Sequence, residues 1–129
     1  RLFDEIGQEY TQIDGLVHAA GILEGALVPI DEFEELTWDR VIDINLTASF
    51  LLGREAAKRM IARGHGKVIN IGSLTSELAR RTVIPYTVAK GGVRLLTKGM
   101  AAEWAEHGIQ ANAIGPGYMV TEMNEALSA

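Results

Sequence analysis

At 129 residues, 47% hydrophobic and 22% charged, the chain has the size and composition of one ordinary soluble globular domain. A formal net charge of −5 without a Lys/Arg cluster speaks against a nucleic-acid surface, and zero cysteines exclude disulfides and thiolate metal sites. His18, His65 and His107 are scattered without ligand spacing, so no metal is expected; no apolar run approaches the ~18 residues of a membrane span, so a cytoplasmic protein without a membrane partner is expected.

Residues 1–10 read as the last turns of a helix with Leu2, Phe3 and Ile6 on one side, an uncapped element entered midway. IDGLVHAAG, 13–21, is a short apolar run expected to be a buried parallel strand, with His18 a satisfied core histidine. The loop 22–36 carries the acidic cluster DEFEE, which complements the N-terminal dipole of the helix that follows. Thr37 is the expected N-cap of a long helix over 38–63. Its apolar residues, Val41, Ile42, Ile44, Leu46, Phe50, Leu51, Leu52, Ala56, Met60 and Ile61, cover over half the circumference, so burial on more than one side is expected. Asn45 sits in that apolar surface, where a buried amide needs backbone partners.

Gly64 and Gly66 are expected to end this helix, and KVINIGS follows as a strand buried on both faces. The loop LTSELARRTVIP, 74–85, then falls at the strand's C-terminal end, where open α/β sheets bind ligands. Pro85 suits entry into a helix over 86–107, with Gly108 as its stop. Ala89, Gly91, Gly92, Gly99, Ala101 and Ala102 along it would let another helix approach closely. IQANAI, 109–114, is expected to be a third buried strand, followed by GPGYMVTEM. Strands and helices in alternation predict an α/β fold with a parallel sheet.

Tyr86 and Lys90 stand four apart in the predicted helix, one above the other on the same face. A phenol titrates near ~10, and a fixed ammonium beside it favours the phenolate, which suits proton transfer at a substrate oxygen. Ser73 lies thirteen residues upstream at a strand end, and Asn45 in the helix before that.

This Asn45…Ser73…Tyr86-x-x-x-Lys90 set resembles the short-chain dehydrogenase/reductase family, and the resemblance covers nearly the whole chain. It implies a Rossmann-like doubly wound parallel sheet, of which 1–129 is the catalytic portion of a single domain. In the family's strand order 3-2-1-4-5-6-7, this chain supplies strands 4, 5 and 6. The nucleotide-binding N-terminal half, with its Thr-Gly-x-x-x-Gly-x-Gly turn, is absent from these residues. By resemblance Tyr86 is the proton donor or acceptor, Ser73 holds the reacting oxygen, and Asn45 serves a proton relay. Lys90 lowers the Tyr86 pKa and binds the nicotinamide ribose. Ala20 and Gly21 let backbone approach the cofactor, in a stretch where the family has Asn-Asn-Ala-Gly and this chain has His18-Ala19-Ala20-Gly21. Pro116, Gly117 and Thr121 match the family's Pro-Gly-x-x-x-Thr and would hold the nicotinamide. The cofactor is thus NAD or NADP.

Within the family, NIGSLTSELAR, AAEWAEHGIQANAIGPGYM and TEMN are similar to the gluconate 5-dehydrogenase branch. The implied reaction interconverts a secondary alcohol and a ketone, with a sugar acid of the gluconate/5-ketogluconate type as small-molecule substrate. Glu77 could accept hydrogen bonds from sugar hydroxyls and Arg80 could grip a carboxylate, while Arg81 reads as a solvated loop charge. A 3-oxoacyl-thioester reductase and a non-catalytic fragment unable to bind cofactor are the alternatives. A homo-oligomer through helices 38–63 and 86–107 is implied by family.

Overall fold

In the computed structural model, which describes residues 1–119, helices alternate with three parallel strands. The order is α1 (Leu2–Glu9), β1 (Gly15–His18), α2 (Glu35–Ile42), α3 (Ala48–Ile61), β2 (Gly66–Ile71), α4 (Ile84–Trp104) and β3 (Ile109–Ile114). Short 3-10 turns cover Ile30–Glu32, Leu74–Ser76 and Ala105–His107. The strands pair in the order β1-β2-β3, Val17 opposite Ile69 and Asn70 opposite Ala113. This is the α/β parallel sheet that the hydrophobic runs predict, and all three strands point their C-terminal ends the same way. Among the described residues no helix is long and apolar enough to cross a membrane.

The core lies on one face of the sheet. Val68, Ile109 and Ala111 point at Ala56 and Met60 of α3 and Met100 of α4, and Phe3 of α1 closes the same cluster. Burying each aliphatic side chain of this kind contributes about 1.5–3 kcal/mol. The other face carries the alternate residues Val17, Lys67, Gln110 and Ile114, and Val17 and Ile114 are 63% and 55% exposed. The expectation of strands buried on both faces is therefore corrected: burial alternates along β1, β2 and the first half of β3, because among the described residues helices pack on one face only.

The predicted long helix begins at Glu35, with Glu34 at the N-cap position, so Thr37 lies inside the first turn and caps nothing. Glu34 and Glu35 place negative charge at the positive end of the dipole, which sets the start earlier than a hydroxyl cap would. The helical run is also interrupted: Asp43–Thr47 form a π-turn between α2 and α3. Asn45 Nδ2 donates to Val41 O at 2.9 Å, taking the carbonyl that an α-helix pairs with the N–H four residues on. Burial in this run favours small residues, Ser49, Gly53, Ala56 and Ala57, while Phe50 and Leu51 are 45% and 42% exposed. Val41 and Met60 of the same run are fully buried.

Gly64 ends α3, whereas Gly66 opens β2, where a side chain would run into Met60. Pro85 lies in the first turn of α4, and Gly108, at φ 70°, stops the helical run after His107. Of the small residues on α4, Gly92 meets Leu46 of the π-turn, while Gly91 and Gly99 face open space.

Candidate active site

The C-terminal end of β2 is built by hydroxyl side chains. After Ile71 and Gly72, Ser73 caps the 3-10 turn Leu74–Ser76, its Oγ accepting from Thr75 N at 3.2 Å. Ser76 Oγ accepts from Ser73 N at 3.0 Å and donates to Lys90 O at 2.9 Å, which fastens the turn to α4 one helical turn beyond Tyr86. Lys90 Nζ reaches back and donates to Ile71 O at 2.7 Å, which joins the same two elements a second time. Leu74 N donates to Pro116 O at 3.0 Å and draws the segment after β3 alongside.

Asn45 attaches the segment after β1. Its Oδ1 accepts from Ile22 N at 3.2 Å and its Nδ2 donates to Ile22 O at 2.9 Å, as a neighbouring strand would. Asn45 is fully buried, so these backbone partners meet the need that burial creates. The result places Gly21 against the cluster: a Cβ there would stand 2.8 Å from Asn45 Oδ1 and 3.6 Å from Lys90 Nζ. Only glycine allows this approach.

These contacts enclose a cleft of about 290 Å³ at the C-terminal ends of the three strands, lined by Gly21, Ser73, Thr75, Tyr86, Lys90 and Tyr118 among others. The structure thus brings together Ser73, Tyr86 and Lys90, with Asn45 behind Gly21. Ser73 and Tyr86 line the same cleft, and Lys90 Nζ lies 5.5 Å from the centre of the Tyr86 ring. Burial raises the Tyr86 pKa above its ordinary 10.0, and the hydrogen bond from Ser73 opposes that rise. Burial lowers Lys90 from 10.5 to about 8. The Lys90 ammonium is turned to the Ile71 carbonyl, and the causes of the Tyr86 shift are burial first and Ser73 second.

His18 stands at the end of β1 with Nδ1 2.8 Å from Ser49 Oγ, and Ser49 Oγ donates to Asn45 O at 3.2 Å. That leaves Nε2 as a buried acceptor without a hydrogen-bond partner among the described residues, so this histidine is only half satisfied. Its pKa is lowered, first by burial and then by the charge of Lys90.

Pro116, Gly117 and Ala19 line the cleft, Ala20 does not, and both alanines are exposed. Thr121 lies outside the described residues. Of the two predicted substrate contacts, Glu77 is ion-paired with Arg94 and away from the cleft wall. Arg80 lies 5.4 Å from the centre of the Tyr118 ring, and Tyr118 lines the cleft. Sequence reasoning missed Thr75, Ser76 and Tyr118. A Ser-x-x-Ser pair directly after an apolar run is a capping pattern and points to Ser76.

A parallel sheet with helices packed on it and a cleft at its strand ends makes this an α/β chain of the Rossmann type, and its neighbours in fold are of that type. The chain belongs to the short chain dehydrogenase family, whose pattern matches residues 1–129. It is 47% identical over 124 residues to gluconate 5-dehydrogenase from Gluconobacter oxydans and, over the same length, 47% identical to 5-keto-D-gluconate 5-reductase from Escherichia coli K12. Each match covers 96% of this chain and 48% of the relative, so the chain spans about half the length of the curated relatives it matches. Among solved structures, a gluconate 5-dehydrogenase from Burkholderia cenocepacia in complex with NADP and tartrate superposes with a TM-score of 0.91. That protein is 50% identical; the match covers 97% of this chain and 48% of that one.

Proposed function

We propose that this chain is the reacting portion of an NAD(P)-dependent oxidoreductase that interconverts a secondary alcohol and a ketone on a sugar acid of the gluconate/5-ketogluconate type. The observation that carries this is the meeting of Ser73, Tyr86 and Lys90 in one cleft at the C-terminal strand ends. A phenol held protonated by burial is an acid at neutral pH. In ketone reduction Tyr86 gives its proton to the oxygen as negative charge develops there, and in alcohol oxidation it takes that proton back. Ser73 holds the oxygen with a hydrogen bond that strengthens with that charge.

The residues present fit the reactive end of a nicotinamide cofactor. Gly21, packed against Asn45 and near Lys90, presents bare backbone to the cleft, and Ala19, Pro116 and Gly117 add small or backbone-presenting walls. When bound, NAD or NADP supplies or takes the hydride. Lys90 has donors beyond the one it gives to Ile71 O, and these suit ribose hydroxyls. By its match to the family's Pro-Gly-x-x-x-Thr, Thr121 is assigned to the nicotinamide, and Asn45 serves a relay through its main-chain carbonyl, since its side chain is engaged with Ile22 and Val41. NADP in the Burkholderia relative and the gluconate chemistry of the curated relatives support both cofactor and substrate class.

Arg80, stacked on Tyr118, supplies positive charge beside the cleft for the substrate carboxylate. A cytoplasmic homo-oligomer paired through helices 38–63 and 86–107 accounts for Phe50 and Leu51 on one helix and Leu95, 63% exposed, on the other. The test is reduction of 5-ketogluconate by the complete-length protein with NADH and NADPH, beside an uncharged ketone of similar size. Arg80→Ala should raise KM for the acid roughly tenfold and leave KM for the uncharged ketone nearly unchanged, as for loss of a charged hydrogen bond. Equal effects on the two would remove Arg80 from the site, and no turnover of the acid with either cofactor would overturn the substrate class.

A further inference from the structure

Ser73 Oγ receives two hydrogen bonds from one residue. Thr75 N donates to it at 3.2 Å and Thr75 Oγ1 at 3.0 Å. A hydroxyl has two lone pairs and one hydrogen. With both lone pairs filled, the hydrogen of Ser73 is left to point into the cleft that Tyr86 also lines. The main-chain N–H of Thr75 can only donate. Its hydroxyl could turn round and accept instead, and Ser73 would then offer Tyr86 a lone pair rather than a hydrogen. Thr75 is 8% exposed and lines the cleft, so its hydroxyl is shielded from most of the water that could compete for it.

Resting on the function proposed above, we propose that Thr75 is a positioning residue for the reaction: it fixes the Ser73 hydroxyl as a donor aimed at the Tyr86 oxygen and, with substrate in place, at the reacting oxygen. The turn is suited to this. Ser76 clamps its far side to Lys90 O, so Thr75 cannot swing away without breaking the join to α4. The arrangement is an ordered row of donors, Thr75 to Ser73 to Tyr86. Its effect is greatest when the last oxygen carries most negative charge, because a donor to an anion is worth more than a donor to a neutral atom.

Thr75→Val keeps the branched shape and the main-chain N–H and removes the second donor; Thr75→Ser keeps the donor and loses a methyl group. In the complete-length protein Thr75→Val should lower kcat for ketone reduction about 3- to 10-fold with KM little changed, as for one lost hydrogen bond. The second readout needs no turnover. Ultraviolet titration of each protein, minus its Tyr86→Phe counterpart, isolates the Tyr86 phenol. Its midpoint should move to higher pH in Thr75→Val, by up to about one pH unit for a tenfold loss, and return in Thr75→Ser. The groups facing this phenol are Lys90 on its own helix and Ser73 on the turn, with His18 of β1 beyond Lys90, and both variants keep all three. A folded Thr75→Val with the wild-type Tyr86 midpoint would overturn the proposal, as would an equal shift in Thr75→Ser. A wild-type protein without turnover but with the Thr75→Val shift would sink the proposed activity and leave the positioning role standing.

Discussion

Lys90 and His18 are close enough that the charge of one disfavours the charge of the other, and both are buried. The folded Lys90 releases its proton at about 8, before the unfolded chain does at 10.5. Below pH 8 both states carry the charge and the cost of burying it is constant. Between pH 8 and about 10 the unfolded state binds more protons, so stability rises with pH, by roughly 2 kcal/mol from pH 7.5 to 9.5. His18 acts at the other end of the scale. Its folded pKa is lowered, so below 6.5 the unfolded chain takes a proton that the buried imidazole refuses, and stability falls as pH falls. Denaturant unfolding of the complete-length protein at pH 5.5, 7.5 and 9.5 checks both: Lys90→Met should flatten the alkaline rise and His18→Asn the acid fall. Unchanged slopes would show that these two groups are not buried as described. Tyr86 and Lys90 were legible in the sequence because four-residue spacing on a helix is a local pattern. The pairing of Glu77 with Arg94 was not, because it joins a loop to a helix face that no spacing encodes.

At the scale of elements, the tightest packing is where two connections meet. The turn before β3 lies against the turn before β2, and a Cβ on Gly108 would overlap the Gly64 carbonyl, at a backbone φ of 70° that side chains already disfavour. Gly108→Ala should cost about 1–3 kcal/mol from the backbone strain alone, with the overlap in addition. Gly91→Ala, in mid-helix with nothing near the added carbon, should be neutral or gain up to about 1 kcal/mol. Chemical denaturation of the two variants measures this, and equal midpoints would contradict the packing of the two turns. Apolar periodicity and glycine stops made the elements and their order readable. The π-turn was not readable, since it depends on where the Asn45 amide finds its partners: Val41 O four residues back and Ile22 on another segment. Burial on both faces of the strands was misread for a related reason. A run such as DGLVH reports the surroundings a strand is suited to, and here helices cover one face of the sheet.

Over the whole molecule, three strands and their helices assemble one end of a reaction site. Among the described residues the open face carries Val17 and Ile114 beside Lys67 and Gln110, and no strand pairs with the outer side of β1, so these residues offer both a face and an edge to further structure. Such a chain fits the role of reacting portion proposed here: Ser73, Tyr86 and Lys90 line one cleft, with Gly21 presenting bare backbone beside them. In the proposed reaction, the activity of the complete-length protein depends on a single phenol oxygen. Tyr86→Phe keeps the ring, its burial and its packing, and removes the transferable proton. Steady-state reduction of 5-ketogluconate with NADH and NADPH should show kcat lowered by ~10²–10⁴ in this variant, with the folded structure unchanged by circular dichroism. Turnover by Tyr86→Phe within a few-fold of the wild type would contradict the account.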